Sequence, residues 1–198
     1  MKKRFLAFAA IGVAVCCLCA CAKKTDNGDN AEYDALNAML KADYSQIALT
    51  VTNTYDEDTS LKSEYTITYS DTQITVEYSV ERFVEISLDK PSTEVKTTLT
   101  GVAVIVDGNV SFTGDDVGIT ADIAHPRLTF KKDYFKNAEL TGNYLIADVK
   151  NASAFLGSQI NCTDMKVTAI FLDMFNDIKI SYISESGNKV EYVYKFNI

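Results

Sequence analysis

The sequence predicts an α+β domain dominated by one antiparallel sheet of about eight to ten strands, and three observations predict it. Long stretches alternate between apolar and polar residues with a period of two. Turn-forming residues punctuate them at short intervals, most clearly at Asp107-Gly108 and at Glu185-Ser186-Gly187-Asn188. The chain has 11 tyrosines, no tryptophan and only two prolines, a composition that suits strands. A helical pattern opens the domain and short ones interrupt the strands later, which makes the class α+β rather than all-β.

Glu32 to Tyr44 predicts the opening helix, because Tyr33, Leu36, Leu40 and Tyr44 recur at spacings of three and four. Strands follow. Ile47, Leu49 and Val51 share one face, and Tyr65, Ile67 and Tyr69 repeat the pattern before a turn at Asp71-Thr72-Gln73. Ile74 to Leu88 is the longest strand signal. Its even positions are Ile, Val, Tyr, Val, Arg, Val, Ile and Leu, and a slip of one residue would invert the whole face. Such a segment would extend about 50 Å, beyond the usual strand. It is therefore either one curved strand or two strands joined at Arg82-Phe83, where the alternation falters.

Val95 to Val106 and Asn109 to Thr113 flank Asp107-Gly108, a pair suited to the positive φ angles of a tight hairpin. Gly114-Asp115-Asp116 turns the chain into a further strand expected over Val117 to Ile123. Lys131 to Ala138 reads as a short helix and Thr141 to Val149 as a strand. Asn151 to Gly157 reads as a helical turn, with Asn151 at the N-cap and Gly157 at C′. Strands at Met165–Asp173, Ile178–Ser184 and Lys189–Asn197 complete the sheet. A helix followed by three strands occurs twice, with Val76-Glu77-Tyr78 and Val190-Glu191-Tyr192 in the third strand of each. Internal duplication and chance both account for that echo.

Ahead of the domain, Lys2, Lys3 and Arg4 precede an almost wholly apolar run from Phe5 to Leu18. It is too short to span a bilayer as a helix and has the length of a secretory signal. The run closes on Leu18-Cys19-Ala20-Cys21. These residues resemble the lipobox of bacterial lipoproteins, with Leu18 at −3, Ala20 at −1 and Cys21 as the modified residue. The resemblance implies a signal peptide over residues 1–20, cleavage before Cys21 by signal peptidase II, and a thioether-linked diacylglycerol on Cys21. Two acyl chains hold a protein at a membrane stably, where one holds it marginally. Residues 21–31 then form the lipidated cysteine and a flexible, polar tether, and residues 32–198 a single globular domain. The implied location is the outer side of the cytoplasmic membrane, or the outer membrane of a cell that has two.

Without Lys2, Lys3 and Arg4 the chain carries 16 Lys and Arg against 27 Asp and Glu, a formal balance of −11. An acidic surface argues against nucleic acid and anionic headgroups as non-specific partners. Cys162 is the only cysteine beyond Cys21, so the domain has no internal disulfide and depends on packing. Catalytic chemistry finds little support. The single His125 would need a nucleophile and an orienting acid, and Cys162, the one available thiol, reads more plainly as a small inert side chain. The acidic stretches Asp56-Glu57-Asp58, Asp115-Asp116 and Asp173/Asp177 read as polar turns rather than a calcium site. No catalytic residue, metal or cofactor is assigned.

The order of elements, an N-terminal helix leading into long antiparallel strands with short helices inserted later, resembles the half-barrel of lipoprotein-carrier (LolA-like) and mycobacterial surface-lipoprotein folds. In those proteins the apolar sheet face holds acyl chains. The resemblance implies a ligand-facing set of Ile74, Val76, Tyr78, Val80 and Val84 with Tyr192 and Tyr194. A sheet face packed on a helix and one lining a cavity both read apolar. Three function classes therefore stand open: a membrane-tethered binder or carrier of an apolar or lipid ligand, a cell-envelope interaction or structural module with a solid core, and, a distant third, an enzyme. The volume of any cavity against the sheet separates the first two.

Overall fold

Alternation of apolar and polar residues gives each strand one face to bury, and register decides whether those faces join. The computed structural model describes residues 28–41, 43–55, 59–86, 93–141, 143–172 and 175–197. The signal segment, Cys21 and most of the tether lie outside the described residues, as do Asp56-Glu57-Asp58, Ser87-Leu88 and Asp173. Helix α1 spans Gly28–Met39 and helix α2 Ala152–Leu156. The first five strands are β1 Gln46–Thr54, β2 Thr59–Tyr69, β3 Ile74–Ile86, β4 Thr93–Val106 and β5 Asn109–Gly114. The second five are β6 Phe135–Thr141, β7 Tyr144–Val149, β8 Cys162–Phe171, β9 Phe175–Ser184 and β10 Lys189–Asn197.

All ten pair antiparallel in one open sheet, in the order β5-β4-β3-β2-β1-β10-β9-β8-β7-β6. The chain is α+β, as the alternation predicts. Strands β1 to β5 run outward from the middle, the chain crosses from one edge to the other over residues 115–134, and β6 to β10 run back inward. The two halves join where β1 pairs with β10 from Gln46↔Asn197 to Thr54↔Lys189.

Register aligns the apolar positions into rows across the sheet. One row runs Ala103, Val76, Ile67, Ile47, Phe196, then Asn176 and Phe171, and every member is buried. The opposite face is polar. It carries surface ion pairs such as Lys62–Glu64, Lys96–Glu81 and Lys179–Glu191, each 2.7 Å, which add little to stability.

The long strand β3 is a single strand. Its pairing with β2 continues without a shift through Leu61↔Arg82 and Ser60↔Phe83, so there is no break at Arg82-Phe83. The β4–β5 hairpin turns at Asp107 and Gly108 with φ of 49° and 78°, the positive pair its sequence requires.

Four expectations are corrected. Val117–Ile123 forms no strand; it continues as irregular chain into a 3-10 turn at Ala121–Ala124. Lys131–Ala138 is not a helix: a 3-10 turn at Lys132–Tyr134 leads directly into β6, because Phe135 must point inward to stack on Tyr33 at 5.8 Å and meet Phe155 at 5.4 Å. Thr141 to Val149 is not continuous, since Thr141 pairs with Tyr144 across a tight turn. The opening helix is also displaced, beginning at Gly28 and ending at Met39, with the Tyr44 hydroxyl donating to the freed Met39 carbonyl.

The half of the inner face made by β6 to β9 is solidly packed. Helix α1 lays Tyr33 and Leu36 against it, and Phe130 meets Phe155 and Phe171 edge to face at 5.4 and 5.9 Å. Helix α2 supplies Phe155; its N-cap Asn151 side chain accepts from the Ala154 N–H at 3.2 Å and Gly157 ends it at φ 63°. Among the described residues, the buried apolar ones lie between Tyr33 and Phe196.

Candidate functional site

The other half of the inner face, over β1 to β3 and β10, is covered differently. Residues 115–131 cross it as a strap pinned at intervals. The Tyr78 hydroxyl donates to the Asp115 carbonyl and the Tyr69 hydroxyl to the Ala124 carbonyl. Farther on, the Thr129 N–H donates to the Phe155 carbonyl at 2.9 Å. The Asn37 side chain grips Phe130, with Nδ2 donating to its carbonyl at 2.7 Å and its N–H donating to Oδ1 at 2.8 Å.

Between the first two pins, the strap stands off the sheet. Val117, Ile119 and Ile123 face Leu49, Leu61, Tyr192 and Tyr194 across a groove of about 540 Å³. Its floor is low for a reason visible in the register: Val51, Ser63 and Val80 sit side by side on β1, β2 and β3, all short, with Tyr192 beside Val51. That volume lies within the range of small-molecule sites, about 300–1,000 Å³. Most of the floor is half-buried rather than sealed.

Tyrosines form one wall. Tyr182, Tyr192, Tyr194 and Phe196 stack nearly parallel at 6.2, 6.3 and 5.9 Å, a ladder that same-face neighbours along one strand and its partner make. Burial, with Tyr192 close by, pushes the Tyr194 phenol well above its ordinary range, and burial does the same to Tyr182. Asp122, on the strap, is paired with Arg127 at 3.0 Å, both well exposed. At the end of the groove Arg82 extends the row Asn53–Leu61 on the inner face and is exposed.

The expected ligand-facing residues divide into three groups. Val80, Tyr192 and Tyr194 line the groove. Val76 and Tyr78 are buried in the packed sheet, Val76 at 0% exposure, and Tyr78 serves as a strap pin. Ile74 faces a separate recess of about 350 Å³ beneath the 3-10 turn, with Ile105 and Ala121, while Val84 lies opposite Thr59 and Val95 outside the groove lining. The strap wall and the β1 and β2 floor residues Val51 and Ser63 were absent from the expected set. Val117, Ile119 and Ile123 do alternate, and Gly118 and Pro126 mark a non-strand path, so the signal was there in mixed form.

A second groove, about 470 Å³, lies on the far side of Ala124, between the strap and the end of α1. His125 borders it with Asp43 and Asp71. Cys162 starts β8 opposite Ser184 and is not among the residues around His125, and burial pushes its thiol up. Asp115 and Asp116 shape their own loop, accepting from the Thr100 and Gly118 N–H groups at 3.1 and 2.8 Å. Among the described residues no group of His, Cys, Asp and Glu is placed to hold a metal ion, and no helix is long and apolar enough to cross a membrane.

No family profile, curated protein or solved structure matches the chain.

Proposed function

We propose that this chain is a lipid-anchored, non-enzymatic bacterial envelope protein, held to its membrane through Cys21, whose folded unit binds an elongated, mainly apolar ligand between strap and sheet. One observation carries the reading. The inner face is closed by aromatic packing over β6 to β9, yet over β1 to β3 the same apolar face stays half-open beneath the strap, leaving about 540 Å³ lined by residues such as Val51, Leu61, Val80 and Tyr192. Apolar surface left exposed under a covering segment is characteristic of a binding groove.

The chain from residue 22, made without lipid, should take up an uncharged naphthylamine dye saturably, at about one per chain. Tyr192→Ala should weaken uptake and Val84→Thr should not, because only Tyr192 lines the groove. A folded protein with no saturable uptake contradicts the binding role. The anchor is tested separately: metabolic labelling with a fatty acid should mark the native chain and miss Cys21→Ser.

A second reading, an interaction module, draws on one feature. Strand β5 pairs only with Gly101–Val106 of β4, so among the described residues Thr93 to Leu99 has no strand on that side. An open edge of this kind accepts an added strand.

A further inference from the structure

Arg82 stands where the alternation of β3 would place another apolar residue. The polar side chains that line the groove are neutral apart from Asp122, and Asp122 is already paired with Arg127. No lysine or arginine lines it. Directly opposed residues of an antiparallel pair project to the same side. Arg82 opposes Leu61, which lines the groove, so its side chain leaves β3 on the inner face beside the groove's end, within reach of it but outside its lining. It is the one cation the register puts on that face of β1 to β4 and β10. Among the described residues no carboxylate pairs with it.

We infer that the groove takes an anionic amphiphile, its chain lying between strap and sheet and its carboxylate or phosphate head held by Arg82; this rests on the groove being the ligand site. The guanidinium presents a planar fork of donors that matches either head in a two-point contact. The floor beside it, Leu61, Val80 and Val51, offers the chain an apolar bed, and Asn53 adds a neutral amide at the same end. General electrostatics oppose this choice, because the mature chain carries a balance of −11. A preference for an anionic ligand must therefore come from a local contact, which makes the inference sharply testable.

The chain from residue 22 is loaded with the uncharged naphthylamine dye, and displacement is compared for dodecanoate, dodecyl phosphate and monolauroylglycerol. At neutral pH the two anionic amphiphiles should displace the dye at about tenfold lower concentration than the glycerol ester, as a charge-assisted contact provides. Whichever of the two anions competes better identifies the head. Arg82→Gln, at an exposed position, should remove the preference and leave competition by monolauroylglycerol unchanged. A native protein that favours the neutral ester, or an Arg82→Gln protein that keeps the anionic preference, overturns the assignment while the groove stands. A dye that binds but is displaced by none of the three, or that does not bind, overturns the groove reading and this inference with it.

Discussion

Asn37 and Phe130 are joined by two hydrogen bonds, the amide of one side chain gripping both backbone groups of the other residue at 2.7 and 2.8 Å. Phe130 is fully buried, and its backbone leaves the strap with no sheet partner there. Helix α1 thus does more than cover the sheet; it ties down the strap where the strap enters the packed half. Asn37→Ala should leave both backbone groups unpaired and cost about 1–3 kcal/mol. Asn37→Asp keeps an acceptor for the N–H and loses the donor, so it should fall between. Equal denaturation midpoints for all three proteins would show that the clamp carries no stability.

Gly101 is required by its neighbours rather than by its backbone angles. A Cβ there would strike the Tyr78 ring and come within 2.7 Å of the Thr113 carbonyl. Gly101→Ala should therefore push Tyr78 off the Asp115 carbonyl, with a loss of about 1–3 kcal/mol. The near end of the strap should loosen with it, seen as faster amide exchange over residues 115–120. Unchanged exchange there would mean that Tyr78 is not a pin.

The register of β3 makes a graded prediction. Val76→Glu buries a charge among apolar side chains at a site with 0% exposure and should cost about 3 kcal/mol or more. Val80→Glu should cost less, because Val80 borders the groove and its carboxylate can reach water. Glu77→Thr, on the outer face, should change little. Melting temperatures that do not follow this order would contradict the register.

Alkaline pH should expose the strap contact at Tyr69. Burial pushes this phenol up from 10.0 to about 12. The folded chain then holds the proton more tightly than the unfolded chain, so the stabilisation is complete below pH 10 and lost as the pH rises through about 12. Tyr69→Phe, which also lacks the hydroxyl bonded to Ala124, should be less stable at neutral pH and show a shallower decline across that window. Parallel stability–pH curves for the two proteins would contradict this assignment.

Much of the sheet was legible because one-sided burial writes itself into alternation. Lys189–Asn197 matches β10 residue for residue, and Asp107-Gly108 marked its hairpin. Alternation reports that one side is covered; it does not report a hydrogen-bonded neighbour. Val117, Ile119 and Ile123 alternate because one side of the strap faces the sheet across the groove, and the same pattern read as a strand. The start of β8 was missed for a different reason. Cys162 and Met165 are three apart because the register shifts between Thr163 and Lys166, with Asp164 at φ 52°, and a bulge breaks the period. The groove could not be read at all from one strand. It depends on Val51, Ser63 and Val80 meeting from three strands, which only register brings about.

The most direct test of the ligand groove is covalent mapping. A fatty acid carrying a photoactivated diazirine along its chain would be bound to the chain from residue 22 and irradiated, and the adducts located by peptide mass spectrometry. Adducts should concentrate in strap residues 117–126 and in the β10 residues that line the groove, Tyr192 and Tyr194, and an excess of unlabelled fatty acid should suppress them. Labelling that falls instead on the outer-face residues Glu64, Glu77 and Lys179, or that excess competitor leaves unchanged, would contradict the account.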